Sequence, residues 1–177
     1  MKEIRFYGRG GQGAFTASKI LGAAAVLDGK YALAFPSFGP ERRGAPVNAY
    51  TKIADGPVVD RSQPQKFDAI LVLDDTLFDH SFLDLLKDRG KIYINTSKQY
   101  DNEHLVSIDA TQAANEILHK NIVNTAILAY FIESTNIVSQ ESFQLVLQDF
   151  LPKGIITANL ELVKRMGGLV YETSQVD

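Results

Sequence analysis

Short apolar runs alternate with longer amphipathic stretches along this chain, and that alternation predicts an α/β domain. Residues 3–8, carrying Ile4-Arg5-Phe6-Tyr7, read as a strand, and 13–28 as a helix whose Ala17, Ala23, Ala24 and Ala25 suit close packing on a sheet. Gly29 stands where a helix end takes a left-handed residue, and Tyr31-Ala32-Leu33-Ala34-Phe35 reads as a second strand stopped by Pro36. Strand, helix and strand in that order predict a right-handed βαβ unit with parallel strands. After the polar loop 36–46, Val47-Asn48-Ala49-Tyr50-Thr51-Lys52-Ile53 alternates with period two. Asp55-Gly56 is a turn dipeptide, so Pro57-Val58-Val59 is expected to return as the second strand of a hairpin.

The second half resumes the alternation. Ala69-Ile70-Leu71-Val72-Leu73 reads as a buried strand, Asp74-Asp75-Thr76 as a helix start, and 77–88 as an amphipathic helix ending at Gly90. Lys91–Asn95 and Val106–Asp109 follow as strands, and helices are expected at 111–119, 123–134, 140–150 and 157–166, the last ending before Gly167-Gly168. Asn124-Thr125 is placed to cap or kink the second of these. The sum is one α/β domain over residues 1–177. It has a mostly parallel central sheet, a βαβ start with a Gly-rich loop, a hairpin-like extension and helices gathered at the C-terminal end.

Composition narrows the chemistry. At 177 residues, 45% of them hydrophobic, the chain can bury a core without staples. A net charge of -3 gives no footprint for nucleic acid or for an acidic membrane surface, and no apolar run is long enough to span a bilayer. A cytoplasmic location is expected. There is no cysteine, hence no thiolate nucleophile and no thiolate-held iron–sulfur cluster. His80, His104 and His119 are scattered, the first two in polar surroundings, and no zinc site is expected. No residue stands out as a nucleophile or general base.

Two segments carry candidate chemistry. Gly8-Arg9-Gly10-Gly11-Gln12-Gly13 satisfies G-x-G-x-x-G between a strand and a helix, where bare amides and the helix dipole favour an anion. The same glycines equally serve a tight turn that lets helix and strand pack closely, with Gln12 holding the loop or touching a ligand. A dinucleotide site usually places an acid at the end of the second strand, and here Phe35-Pro36-Ser37 stands instead. In the loop 36–46, Glu41-Arg42-Arg43-Gly44-Ala45-Pro46 offers two guanidiniums suited to phosphate or carboxylate, or one paired to Glu41 and one solvated. Asp74-Asp75, at a strand end, suits a helix cap better than a metal.

Together the glycine loop, Asp28-Gly29-Lys30-Tyr31 and the stretch Phe35–Pro46 resemble the gamma subunit of 2-oxoacid:ferredoxin oxidoreductases, of the pyruvate synthase and 2-ketoisovalerate types. The likeness continues through Val72-Leu73-Asp74, Asn95-Thr96, Asp109-Ala110-Thr111 and Asn124–Leu128. Ser37 departs from it, since a second aromatic is frequent there. The resemblance implies a subunit of a heteromeric enzyme that converts a 2-oxoacid, pyruvate first among candidates, with coenzyme A and oxidised ferredoxin to acyl-CoA, CO₂ and reduced ferredoxin. It places thiamine diphosphate, Mg²⁺ and [4Fe–4S] clusters on alpha and beta partners, with delta a further candidate partner. Ferredoxin is met through the complex. This chain is left with no catalytic residue or metal of its own, but with assembly contacts and the coenzyme A side of the site. Gly8, Arg9, Gly10, Gly11, Gln12, Gly13, Arg42 and Arg43 are the expected anion-binding residues. A free-standing dinucleotide-binding oxidoreductase and a purely structural subunit are the alternatives.

Overall fold

A computed structural model describes residues 1–37 and 44–173, the side chain of Thr173 excepted. A six-stranded sheet runs in the order β2-β3-β1-β4-β5-β6. Its strands are β1 (Lys2–Arg9), β2 (Tyr31–Ser37), β3 (Pro46–Ala54), β4 (Phe67–Val72), β5 (Leu86–Asn95) and β6 (Leu105–Ile108). The helices are α1 (Ala14–Leu27), α2 (Ala110–Leu118), α3 (Asn124–Thr135), α4 (Gln140–Phe150) and α5 (Ile156–Thr173). Pairing is parallel through β1, β4, β5 and β6 and antiparallel on both sides of β3. Among the described residues no helix is long and apolar enough to cross a membrane.

The position of β3 changes two expectations. β1 and β2 run in the same direction, but β3 lies between them, so they are not the adjacent parallel pair of a simple βαβ unit. Because β1 and β2 occupy both edges of β3, no edge remains for a hairpin partner. Pro57-Val58-Val59 accordingly forms no strand, and Val59 is 85% exposed. The chain instead folds back so that Asp60 meets the fully buried Lys52 ammonium at 2.8 Å, which Glu3 also approaches at 3.7 Å.

The sheet has two unlike faces. Ile4, Phe6, Leu71 and Tyr93 pack into one core with Ile20, Leu21, Ile127, Phe131, Phe143 and Met166 from the helices. Tyr50, Ile70, Val72, Ile92 and Ile94 form a second, smaller core covered by Phe78, Phe82, Leu83, Leu85 and Tyr100. β4 contributes to both cores, which is why its sequence is a continuous apolar run rather than an alternation.

The helix expected over 77–88 does not form. Asp74 caps a three-residue 3₁₀ turn at Asp75–Leu77, and Asp79 then caps a new one at His80–Leu85, so each cap restarts the turn. Residues from Leu86 are drawn into β5, where Lys87 is held by Asp68 at 2.6 Å and Glu3 at 3.0 Å. Gly90 is therefore no helix terminator. It sits inside β5 beside an irregularity in the β4 pairing, and its hydrogen stands where a side chain would meet the Phe67 carbonyl at 2.8 Å. His104, half-buried, contacts the Gly90 carbonyl through Nδ1 at 2.9 Å.

The later helices keep their expected places except at the end. α5 continues through Gly167-Gly168 to Thr173. Gly167 faces the Glu133 side chain of α3, and the Tyr171 hydroxyl donates to Glu133 Oε1 at 2.6 Å, tying down the final turn. Tertiary contact thus overrides the local preference of glycine.

Gly90→Ala should destabilise the fold by about 1–3 kcal/mol, the usual cost of overpacking against rigid backbone. Urea denaturation checks this, with Gly56→Ala, which has no neighbour within 4 Å, as the control.

Candidate functional site

Gly8 is the penultimate residue of β1, where a side chain would crowd Leu73 Cδ1 at 3.0 Å and Gln12 Oε1 at 3.1 Å, so glycine lets the loop and the end of β4 close up. Gly11 and Gly13 take positive φ, 93° and 82°, which only glycine adopts freely. The Gly10 N–H donates to the Ala45 carbonyl at 2.9 Å and the Gln12 N–H to the Arg9 carbonyl at 3.0 Å. Gly13 then serves as the left-handed N-cap of α1, with no side chain capping the helix. Among the described residues, the N–H groups of Gly11, Gly13 and Ala14 find no protein acceptor. Unused amides at the positive end of a helix are the standard equipment for holding an anion.

Arg9 and Gln12 brace this loop. The Arg9 guanidinium donates through Nε to Asp74 Oδ2 at 3.0 Å, through Nη1 to the Gly44 carbonyl at 3.2 Å and through Nη2 to Thr76 Oγ1 at 2.8 Å. Gln12 Oε1 accepts the Arg9 N–H at 2.6 Å and its Nε2 donates to Asp74 Oδ2 at 3.3 Å. One fork thus joins the ends of β1, β4 and the segment entering β3. Arg42 and Arg43 lie outside the described residues. Gly44 and Ala45, the residues directly after them, are the ones bonded to Arg9 and Gly10, so that loop rejoins the sheet against the glycine loop.

Burial pushes the Asp74 carboxyl upward, but hydrogen bonds from Thr76, Arg9 and Gln12 outweigh it and hold the group below the usual carboxylate range. Asp74 also caps the following turn by accepting from the Thr76 N–H at 3.0 Å, which is the capping role its position suggested.

The segments around Leu73-Asp74, Asn95-Thr96 and Asp109-Ala110-Thr111 converge beside the loop, whereas Lys30 lies at the other end of the sheet. A polar cleft of about 400 Å³ opens at the carboxyl ends of the parallel strands, lined by Gln12, Asp74, Asn95, Thr96, Asp109 and Thr111 among others. Asn95 donates to the Leu73 carbonyl at 3.0 Å and accepts the Thr111 N–H at 3.1 Å, locking β5 to α2. Asp75 accepts from Thr96 Oγ1 at 2.9 Å and pairs with Lys98 at 3.1 Å. Asp109 caps α2 through the Gln112 N–H at 2.8 Å. Among the described residues no cluster of three or more His, Asp or Glu side chains is arranged to hold a metal.

Asn124 is the contributor that sequence reasoning missed as a partner of the loop. It opens α3, is 8% exposed, and donates weakly to the Gly13 carbonyl at 3.4 Å. Its Oδ1 is buried without a partner, and a side chain at Gly13 would come within 2.5 Å of its Nδ2. The only signal was an Asn at the start of an apolar helix; a separation of 111 positions in sequence hides the contact.

The dinucleotide reading loses its geometry. In that fold the strand carrying the ribose-binding acid lies beside the first strand. Here β3 takes that place, pairing Val47 with Gly8 and Pro46 with Arg9, and β2 is displaced to the sheet edge.

Gly13→Ala combines a disfavoured φ with a clash on Asn124 and should cost about 2 kcal/mol, read by chemical denaturation. For Asp74 the sign follows from its depressed value. Its contribution is complete above the unfolded carboxyl value of about 3.9 and is lost as pH falls through the lower folded value. Melting curves of the parent and Asp74→Asn should therefore differ at neutral pH and converge below about pH 4. A gap that persists in acid would refute the assignment.

Comparison with known proteins places this architecture. The family model described as pyruvate ferredoxin/flavodoxin oxidoreductase matches residues 3–166. The chain is 44% identical over 169 residues to a pyruvate synthase subunit PorC of Methanothermobacter marburgensis, covering 93% of this chain and 94% of the relative. It is also 44% identical to the pyruvate/ketoisovalerate oxidoreductases common subunit gamma of Pyrococcus furiosus, with 84% and 86% covered. The crystal structure of pyruvate oxidoreductase subunit PORC from Thermotoga maritima superposes with a TM-score of 0.82 at 32% identity, covering 94% of this chain and 95% of that one. A 2-oxoglutarate:ferredoxin oxidoreductase from Magnetococcus marinus shares the fold at 19% identity and a TM-score of 0.81, over 97% of this chain but 31% of its own. With a family model over residues 3–166 and relatives 44% identical along most of their length, the chain belongs to the pyruvate ferredoxin/flavodoxin oxidoreductase family.

Proposed function

We propose that this chain, as one domain over residues 1–177, is the gamma subunit of a heteromeric 2-oxoacid:ferredoxin oxidoreductase acting on pyruvate in the cytoplasm. Its relatives are named pyruvate synthase subunit PorC and pyruvate/ketoisovalerate oxidoreductases common subunit gamma. The complex joins coenzyme A to the acyl group released by decarboxylation and passes electrons to ferredoxin. Thiamine diphosphate with Mg²⁺ supplies the carbanion chemistry and [4Fe–4S] clusters the electron path, both on the alpha and beta subunits, with delta a further partner. The absence of cysteine from this chain accords with that division of labour.

The chain's own share is anion recognition on the coenzyme A side. The observation that carries it is the uncapped start of α1, with the Gly11, Gly13 and Ala14 amides unused. Phosphate oxygens of coenzyme A would accept those N–H groups, with the guanidiniums of Arg42 and Arg43 as the proposed cationic partners. Gly8 and Gly10 give the backbone its close turn. Arg9 and Gln12 serve the same site from behind, by fixing the loop rather than by offering a free charge.

Arg42→Ala with Arg43→Ala in the assembled complex should raise KM for coenzyme A at least about tenfold, since a charged hydrogen bond is worth roughly 1.5–3 kcal/mol. KM for pyruvate and subunit composition should be unchanged. A complex that assembles normally with an unaltered coenzyme A KM defeats the phosphate role. Loss of assembly with normal KM in the residual complex would make the loop an interface instead.

A further inference from the structure

At the end of the sheet opposite the glycine loop lies a second cleft, of about 580 Å³. Its floor is apolar: Ile4, Ile53, Ala69, Tyr93 and Phe131. Five cationic side chains line it, Lys2, Lys30, Lys87, Arg89 and Lys91, against two carboxylates, Asp55 and Asp68. That excess of positive charge stands out on a chain whose net charge is -3. Three of the cations have partners. Lys2 and Lys87 share Asp68 at 3.0 and 2.6 Å, and Lys30 donates to the Ile137 carbonyl at 2.6 Å. Arg89 and Lys91, both exposed, have none among the described residues. Both line the cleft together with Tyr93 of its floor.

We propose that this cleft is a docking seat for an acidic segment of a neighbouring subunit. One apolar side chain of that segment enters over Tyr93 and Phe131, and flanking carboxylates meet Arg89 and Lys91. The inference rests on reading the chain as one subunit of a complex. Charge complementarity selects the acidic partner: an unpaired guanidinium and ammonium at the mouth, with an apolar floor behind, discriminate by attraction and register rather than by depth. The Magnetococcus marinus enzyme shows the same fold as 31% of a longer chain, a fold therefore used among other domains.

The assembled complex tests the proposal. Trace acetylation read by peptide mass spectrometry compares Lys2, Lys30, Lys87 and Lys91 in the free chain and in the complex. Lys91 should become several-fold less reactive on assembly, and a zero-length carbodiimide should join it to an Asp or Glu of another subunit. Arg89→Glu with Lys91→Glu should leave circular dichroism unchanged and weaken the chain's retention in the complex by about tenfold. If the complex forms and these lysines react as fast as in the free chain, the docking seat is wrong while the gamma-subunit reading stands. A chain that copurifies with no other subunit overturns both. Protection of Lys91 in the free chain by anilinonaphthalene sulfonate, with none in the complex, makes the cleft a small-anion site and overturns the segment.

Discussion

The antiparallel strand β3, set between β1 and β2, determines what every other part of this molecule can do. By pairing with β1 along its whole length, from Lys2↔Ile53 to Arg9↔Pro46, it delivers Gly44 and Ala45 to the side of the glycine loop. In a dinucleotide-binding fold that space belongs to a parallel strand and its ribose-binding acid. Here it is filled by backbone carbonyls, which accept from Arg9 and Gly10 and convert a generic strand–loop–helix turn into a three-way junction. The loop is thereby specialised before any ligand arrives.

The junction's rigidity comes from spending charged groups on one another. The Arg9 guanidinium donates from all three of its nitrogens to the scaffold, to Asp74, the Gly44 carbonyl and Thr76. That bracing fixes the neighbouring amides in place, and preorganised donors lose less entropy on binding than a mobile side chain does. The same logic explains the glycines. Gly8 permits approach to Leu73, and Gly13 permits both the turn into α1 and contact with Asn124. Substituting either residue moves the amides rather than removing an interaction.

Much of the fold was legible because local and tertiary preferences agree. β4 announced itself as a doubly buried run, and α4 runs over the expected 140–150 behind Ser139, whose hydroxyl accepts the Ser142 N–H; Asp109, read as the end of a strand, instead caps α2. Legibility failed wherever a long-range partner overrode a local signal. Asp55-Gly56 looked like a hairpin turn, but both edges of β3 were already occupied. Residues 77–88 had helical periodicity, yet Asp79 restarted the turn and Lys87 was claimed by Asp68 and Glu3. Gly167-Gly168 looked like a stop, but Glu133 and Tyr171 held the helix beyond it. The site divides the same way. The glycine loop was visible as a motif, whereas its brace through Asp74 and its wall at Asn124 depend on residues far away in sequence.

Asp74, Asp75 and Asp109 crowd the end of the sheet beside the α1 amides, and their charge would oppose any anion there if it were free. None is. Asp74 is matched by Arg9 and accepts from Gln12 and Thr76, Asp75 is matched by Lys98, and Asp109 is turned into the start of α2. Of these the Asp75–Lys98 pair is the weakest shield, since Lys98 is 70% exposed and water and salt screen it. What remains unopposed is the field of the α1 N-terminus and its unused amides, together with the α3 N-terminus, which no side chain caps, meeting it at Gly13 and Asn124. The donors left open at this end of the sheet are thus backbone amides, because the aspartates beside them are committed to holding the scaffold that aims them.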